Sequence, residues 1–206
     1  MKKILVTGVT GVVGKSTVEH LLKKGVPASQ IIGLSRKREN IEELAAKGIE
    51  IRIGDYSDYN SLVAAFKDID KIMLTSAVAF TDRSAHHYNV ITAAREAGVK
   101  HVVYMSIMRR EGSGRVMPEV TESDIFTEQL LKSSGLNYTI VYHPPFADLL
   151  SFYYGPNPYE HGIKVPAKNG KMLPATRDEL AEAHAEILST PGHENKTYSL
   201  GGSHPI

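Results

Sequence analysis

The chain has 206 residues, 42% of them hydrophobic and 23% charged, with a net charge of +1. That is enough for one domain with a real core, and it gives no electrostatic case for nucleic acid or an acidic membrane surface. The absence of cysteine excludes disulfides, thiol catalysis and thiolate metal sites.

Strand-like and helix-like stretches alternate along the chain. Apolar, β-rich runs are "KILVT" (3–7), "QIIGLS" (30–35), "IEIRI" (49–53), "KIMLTS" (71–76), "HVVYMS" (101–106), "YTIVY" (138–142) and "KTYSL" (196–200). Several are apolar on both faces, as parallel strands covered by helices are. Helical patterns lie between them. One over 13–24 ends at Gly25, one near 84–97 at Gly98 and one near 121–134 at Gly135. Asn40 and Glu43 have capping-box spacing, as do Thr176 and Glu179, and Asp58 is placed to cap a helix holding Leu62 and Phe66. This predicts an α/β fold, doubly wound, with a mainly parallel sheet and right-handed crossovers, in a single domain over 1–206. The stretch 143–175 is rich in Pro, Gly and Tyr and is expected to be an irregular substrate-side region. The apolar run of "MKKILVTG" is too short for a signal segment and no stretch approaches a membrane span, so a cytoplasmic location is expected.

The first strand–helix junction reads "VTGVTGVVGKST". A triphosphate loop would need glycine at position 9, which is Val9, so that match fails. Gly8, Gly11 and Gly14 instead suit a dinucleotide turn. The first allows the tight turn, the second close approach of a pyrophosphate, and the third close helix–strand packing. A tight turn without a ligand is the plainer alternative. After the second strand comes "LSRKREN", with Arg36 and Lys37 and no acid before Glu39. A guanidinium there can fork onto a 2′-phosphate, which predicts NADP(H); a solvated charge run is the alternative. Asp55 and Tyr56 follow the third strand, where adenine lies in such folds. Thr75, Ser76 and Ala77 end the fourth and are expected to face the cofactor ribose.

The segments "VTGVTGVVG", "VPASQII", "GDYSD", "AREAGVKHVVYMS", "TEQLLKSSGLNYTIV" and "ATRDELAEAHAEIL" run in collinear order. Together they resemble the NmrA-like atypical short-chain dehydrogenase/reductases, in the branch of quinone oxidoreductase type 2 and triphenylmethane reductase. The resemblance implies a Rossmann-like fold, NADPH, and hydride transfer to a quinone or similar flat acceptor. It places cofactor contacts on Gly8, Val9, Thr10, Gly11, Val12 and Val13, with Gly14 added by the glycine spacing, on Arg36, on Thr75 to Ala77, and on the segment from His143 through Pro144, Pro145 and Phe146 to Asp148. Many such proteins have Arg then Asn or Pro where this chain has Tyr142 and His143. They also run past "YSLGGSHPI" into helices that wall the substrate cleft, so a missing or shortened carboxyl-terminal part is expected. Non-catalytic NADP(H)-binding sensors with partner proteins belong to the same group and form the alternative reading. A homodimer is compatible with both.

None of the ten tyrosines has Lys four residues later, which excludes the usual Tyr-Lys proton donor of carbonyl reductases. A quinone needs less help, since its protons can come from water. Ser106 is a candidate hydrogen-bond donor to the acceptor, or a strand-end cap. Phe146, Phe152, Tyr153 and Tyr154 form a candidate aromatic wall, or ordinary packing. Asp148 is read as a loop anchor or part of a proton path. The nine histidines lack zinc spacing and are read as surface or interface groups, with no metal expected. Met73, Met105 and Met108 are read as core or cleft lining, and "MRREGSGR" (108–115) as a loop beside the cleft.

Overall fold

The computed structural model describes residues 2–39, 41–78, 80–109, 117–155, 157–162 and 170–205, without the side chain of Tyr153. Seven strands form one sheet: β1 (Ile4–Thr7), β2 (Ile31–Ser35), β3 (Glu50–Ile53), β4 (Lys71–Leu74), β5 (His101–Ile107), β6 (Asn137–His143) and β7 (Lys196–Ser199). Every pairing is parallel, in the order β3-β2-β1-β4-β5-β6-β7. The order reverses between β1 and β4, and a crevice opens at the carboxyl ends of strands at such a switch point.

The helices are α1 (Val12–Lys23), α2 (Glu42–Ala46), α3 (Tyr59–Ala65), α4 (Arg83–Glu96), α5 (Val120–Ser133), α6 (Ser151–Tyr154), α7 (Pro158–His161) and α8 (Arg177–Ser189). Two apolar layers sandwich the sheet. Val18 and Leu21 of α1 and Ala181, Ala185 and Leu188 of α8 meet Ile4, Val6 and Met73 on one face. Leu62 of α3, Val90 and Ala94 of α4 and Leu131 of α5 meet Leu5, Ile72 and Tyr104 on the other. The inner strands β1 and β2 are buried along their whole length, which is why they read as continuous apolar runs.

The predicted caps divide. Asp58 accepts from the Ser61 N–H at 3.1 Å, and Thr176 with Glu179 forms a complete capping box. Asn40 lies outside the described residues. Its supposed partner Glu43 pairs with Lys15 of α1 at 2.5 Å and with Lys47, one turn on at the end of α2, at 3.0 Å. The fourth strand stops at Leu74 rather than at 76. The Thr75 N–H turns to Thr7 Oγ1 at 2.9 Å and the Ser76 hydroxyl turns to the Met105 carbonyl, which takes both residues out of the ladder and aims them at the crevice.

Candidate active site

The β1–α1 turn fixes one end of the crevice. Gly8 has φ +65° and its carbonyl accepts from the Gly11 N–H at 2.9 Å. A Cβ on Gly14 would lie 2.4 Å from that carbonyl oxygen, so helix and strand approach as only glycine allows. The start of α1 has no side-chain cap and no acid in its first turn. Its free N–H groups and helix dipole therefore suit an anion, which is the test a pyrophosphate sets. Thr10 and Val12 are exposed at this turn. Val9 and Val13 are buried in the core, which leaves their backbone to face the turn.

A cleft of about 240 Å³ continues from Gly8 past Arg36, Asp55 and Tyr56 to Ser76 and Ala77. Arg36 and Lys37 are exposed at the end of β2 and share a second recess with Thr10, Glu39 and Asp55. Asp55 binds the Ser57 N–H at 2.8 Å, and that bond, with the charge of Arg36 beyond it, holds its carboxyl below the usual range. Tyr56 uses its hydroxyl to stitch strand ends, 2.5 Å from Thr7 Oγ1 and 2.9 Å from the Thr75 carbonyl. Only the rest of that side chain is left to line the cleft.

Beneath the cleft lies a polar layer that sequence reasoning missed. His87 is fully buried, contrary to the expectation of surface histidines. Its Nε2 accepts from the Ala77 N–H at 2.9 Å, and its Nδ1 lies 2.9 Å from Thr127 Oγ1. The Thr127 hydroxyl donates to the Ser123 carbonyl, so His87 must donate from Nδ1 and is a neutral imidazole holding the cleft wall. Burial, then the charge of Arg83, pushes its pKa down to about 3. Next to it, Arg83 Nη2 lies 2.9 Å from Asp124 Oδ1, and the Tyr104 hydroxyl donates to the same oxygen at 2.6 Å.

Ser106 is not open to an acceptor. It is buried, and its hydroxyl donates to Glu128 Oε1 at 2.8 Å because α5 covers the end of β5. Arg109 grips Glu128 with two bonds, 2.6 and 2.7 Å, and its guanidinium lies 5.2 Å from the Tyr142 ring. Burial pushes the Glu128 carboxyl up, but bonds from Arg109, Ser106 and Tyr142 outweigh it and hold it below the usual range. Glu128→Gln removes the charge from this grip and is expected to cost about 2 kcal/mol. In a chain of this size that lowers the melting temperature by roughly 6 °C. Calorimetry checks it; an unchanged melting temperature would mean the grip contributes nothing net.

On the nicotinamide side the expected contacts scatter. His143 is buried, with Nε2 2.7 Å from Nε2 of His184, and no partner is found for either Nδ1 among the described residues. Its side chain faces α8 rather than the crevice, because an equally buried imidazole waits there. Pro144 is buried, Pro145 exposed and Phe146 half-buried, bridging to Ala175. Asp148 anchors the loop, binding Arg177 Nε at 2.5 Å and its N–H at 3.2 Å, which leaves no sign of a proton path. Phe152 is 83% exposed and Tyr154 half-buried, so no closed aromatic wall forms among the described residues; the Tyr153 side chain and residues 110–116 and 163–169 lie outside them. Met73 is core, Met105 packs on it and Met108 is exposed. Among the described residues no cluster of three metal-ligating side chains occurs, and no helix is long and apolar enough to cross a membrane.

Known proteins resemble this chain over nearly all of its length. A family model described as NAD(P)H-binding matches residues 8–191. Quinone oxidoreductase 2 of Escherichia coli is 37% identical over 202 residues, covering 97% of this chain and 68% of that protein. Its crystal structure with NADPH superposes with a TM-score of 0.89 at 36% identity, covering 98% of this chain and 70% of that one. Triphenylmethane reductase of Citrobacter sp. with NADP(H) gives 0.87 at 33% identity, covering 99% and 71%. The chain belongs to the NAD(P)H-binding family, as an NmrA-like, NADPH-dependent oxidoreductase with a Rossmann-like fold and NADP(H) as its cofactor.

Proposed function

We propose that this chain reduces a quinone or similar flat conjugated acceptor. The observation that carries the reading is the junction of three features in one cleft: the uncapped α1 start, the Gly8–Gly14 cradle, and the basic pair at the end of β2. In this reading the backbone of Gly8 to Val13 holds the pyrophosphate. Arg36, with Lys37 beside it, takes the 2′-phosphate. Asp55 and the Tyr56 ring border the adenosine, and Thr75 to Ala77 the ribose. The stretch that follows β6, with Pro145 and Phe146, is read as the acceptor side. The bound cofactor supplies hydride; the chain supplies position, and a preformed cleft makes orientation its main contribution.

The quinone relative, 37% identical, supports the acceptor class. NADPH oxidation with a panel of quinones tests it. Arg36→Ala is expected to lose about 10- to 100-fold in NADPH efficiency and little with NADH, the worth of a charge-assisted phosphate contact. Equal use of NADH by wild type and variant would overturn the Arg36 assignment. Tight NADPH binding without oxidation of any acceptor would favour a sensor that signals to a partner.

A further inference from the structure

The peptide between Ser76 and Ala77 is held from below by a chain of buried groups. The Ala77 N–H donates to His87 Nε2 of α4 at 2.9 Å. His87 Nδ1 lies 2.9 Å from Thr127 Oγ1 of α5, and the Thr127 hydroxyl donates to the Ser123 carbonyl at 2.6 Å. His87 and Thr127 are fully buried, and Ser123 nearly so. A threonine hydroxyl has one proton, and this one is committed to Ser123. Nδ1 must therefore carry the ring proton, which leaves Nε2 as the acceptor that Ala77 needs. Thr127 thus decides the tautomer of His87.

The surrounding bonds show what that tautomer sets. The Thr75 carbonyl accepts from the Tyr56 hydroxyl at 2.9 Å, and the Ser76 hydroxyl donates to the Met105 carbonyl. Asn89, on the same helix as His87, donates to the Tyr56 carbonyl at 2.9 Å, so α4 grips both lips of the cleft. A trans peptide points its N–H and its C=O in opposite directions. With the Ala77 N–H drawn down to His87, the Ser76 carbonyl points away from that buried ring. Ser76 and Ala77 are half-buried and line the cleft, and no donor among the described residues reaches the Ser76 carbonyl.

We infer that Thr127 and His87 are positioning residues, which aim the Ser76 carbonyl into the cleft to accept a hydrogen bond from a ribose hydroxyl of the cofactor. Neither touches the cofactor: Thr127 acts through His87, and His87 through the peptide it holds. The inference rests on the ribose placement at Thr75 to Ala77 given above and not on the identity of the acceptor. The other tautomer of His87 would set an Nε2–H against the Ala77 N–H. Two donors cannot share one bond, so the peptide would turn and the carbonyl would lose its aim.

Two substitutions at one position separate aim from packing. Thr127→Val keeps the shape and removes the hydroxyl; Thr127→Ser keeps the hydroxyl and removes a methyl. In Thr127→Val the Kd for NADPH, read by fluorescence titration, is expected to rise about 10-fold, the worth of one neutral hydrogen bond. Thr127→Ser is expected to bind NADPH as wild type does although it melts lower, the reverse of the order that packing alone would give. Imidazole nitrogen NMR shifts are expected to place the His87 proton on Nδ1 in wild type and on Nε2 in Thr127→Val. A wild-type proton on Nε2 overturns the inference. So does a Thr127→Val protein that binds NADPH as tightly as wild type, or a Thr127→Ser protein as weak as Thr127→Val. Wild type alone gives a further check that survives the failure of any variant to fold: the Ser76 carbonyl carbon resonance is expected to move downfield when NADPH binds. If the amides of Thr75 to Ala77 respond to NADPH and that carbonyl does not, the aimed carbonyl is overturned and the ribose placement stands. If NADPH binds and none of the three residues responds, both fall.

Discussion

Unfolding in urea at about pH 5.5 is expected to give a stability about 5 kcal/mol below that at pH 7.5. Four histidines are buried in neutral form. Burial and then the charge of Lys71 push His101 to about 4, burial and Arg83 push His87 to about 3, burial pushes His184 to about 3, and burial and His184 push His143 well below its ordinary value. The geometry agrees. His87 is locked in one tautomer by Ala77 and Thr127, and His143 shares a single proton with His184 across 2.7 Å. Unfolded, each imidazole takes a proton near pH 6.5; folded, His101 does so only near pH 4, His87 and His184 only near pH 3, and His143 only well below its ordinary value. The unfolded chain therefore binds more protons in acid, and stability is full above pH 6.5 and falls as pH drops through that window. The slope is about 1.4 kcal/mol per pH unit for each group. Asp124 works the other way, because its raised pKa favours the folded state on protonation, but one group does not offset four. A loss of that size is a large share of an ordinary domain's stability. Equal urea midpoints at the two pH values would show that these imidazoles are hydrated or charged in the fold.

The pattern explains what the sequence made legible. Residue type carried the sheet, since doubly buried parallel strands must be apolar throughout, and all seven runs became strands. The glycine triplet and the Arg36–Lys37 pair were legible because each depends on local backbone geometry or on the residue next to a strand end. The polar layer was not. Arg83, Asp124 and Glu128 stand far apart in sequence from Tyr104 and Ser106, and a carboxylate on a helix reads as a solvated face until its partner is known. One signal was available: Asp124 and Glu128, four residues apart in "SDIFTE", share the face that also carries Val120 and Leu131, and a helix with acids among its apolar positions asks for buried partners. His143 failed for a related reason. Its place after β6 suggested the crevice, but orientation depended on His184, 41 residues away.

Gly14→Ala and Gly11→Ala are expected to fail in different ways, and the contrast separates packing from ligand binding at one turn. A Cβ on Gly14 would meet Gly8 O at 2.4 Å, Gly8 C at 2.7 Å and Thr7 O at 2.9 Å. All three are backbone atoms, so no rotamer relieves the contact and α1 must move off β1. That helix carries Val18 and Leu21 into the core against α8, so the cost is expected to be at least about 3 kcal/mol, at the upper end for overpacking. Gly11 is in a different position. Its φ of −93° and ψ of 163° suit any residue, and a Cβ there would come no nearer than 3.3 Å to Gly8 O. Gly11→Ala should therefore melt within about 1 kcal/mol of wild type. Its methyl would instead stand where a pyrophosphate must approach the backbone, so NADPH affinity should drop while stability holds. Urea unfolding and NADPH titration by fluorescence read the two effects separately. A Gly14→Ala protein as stable as wild type would sink the close-packing role of that residue. A Gly11→Ala protein that binds NADPH as wild type does would move the pyrophosphate off this turn, and with it the reason for an uncapped helix at the edge of the cleft.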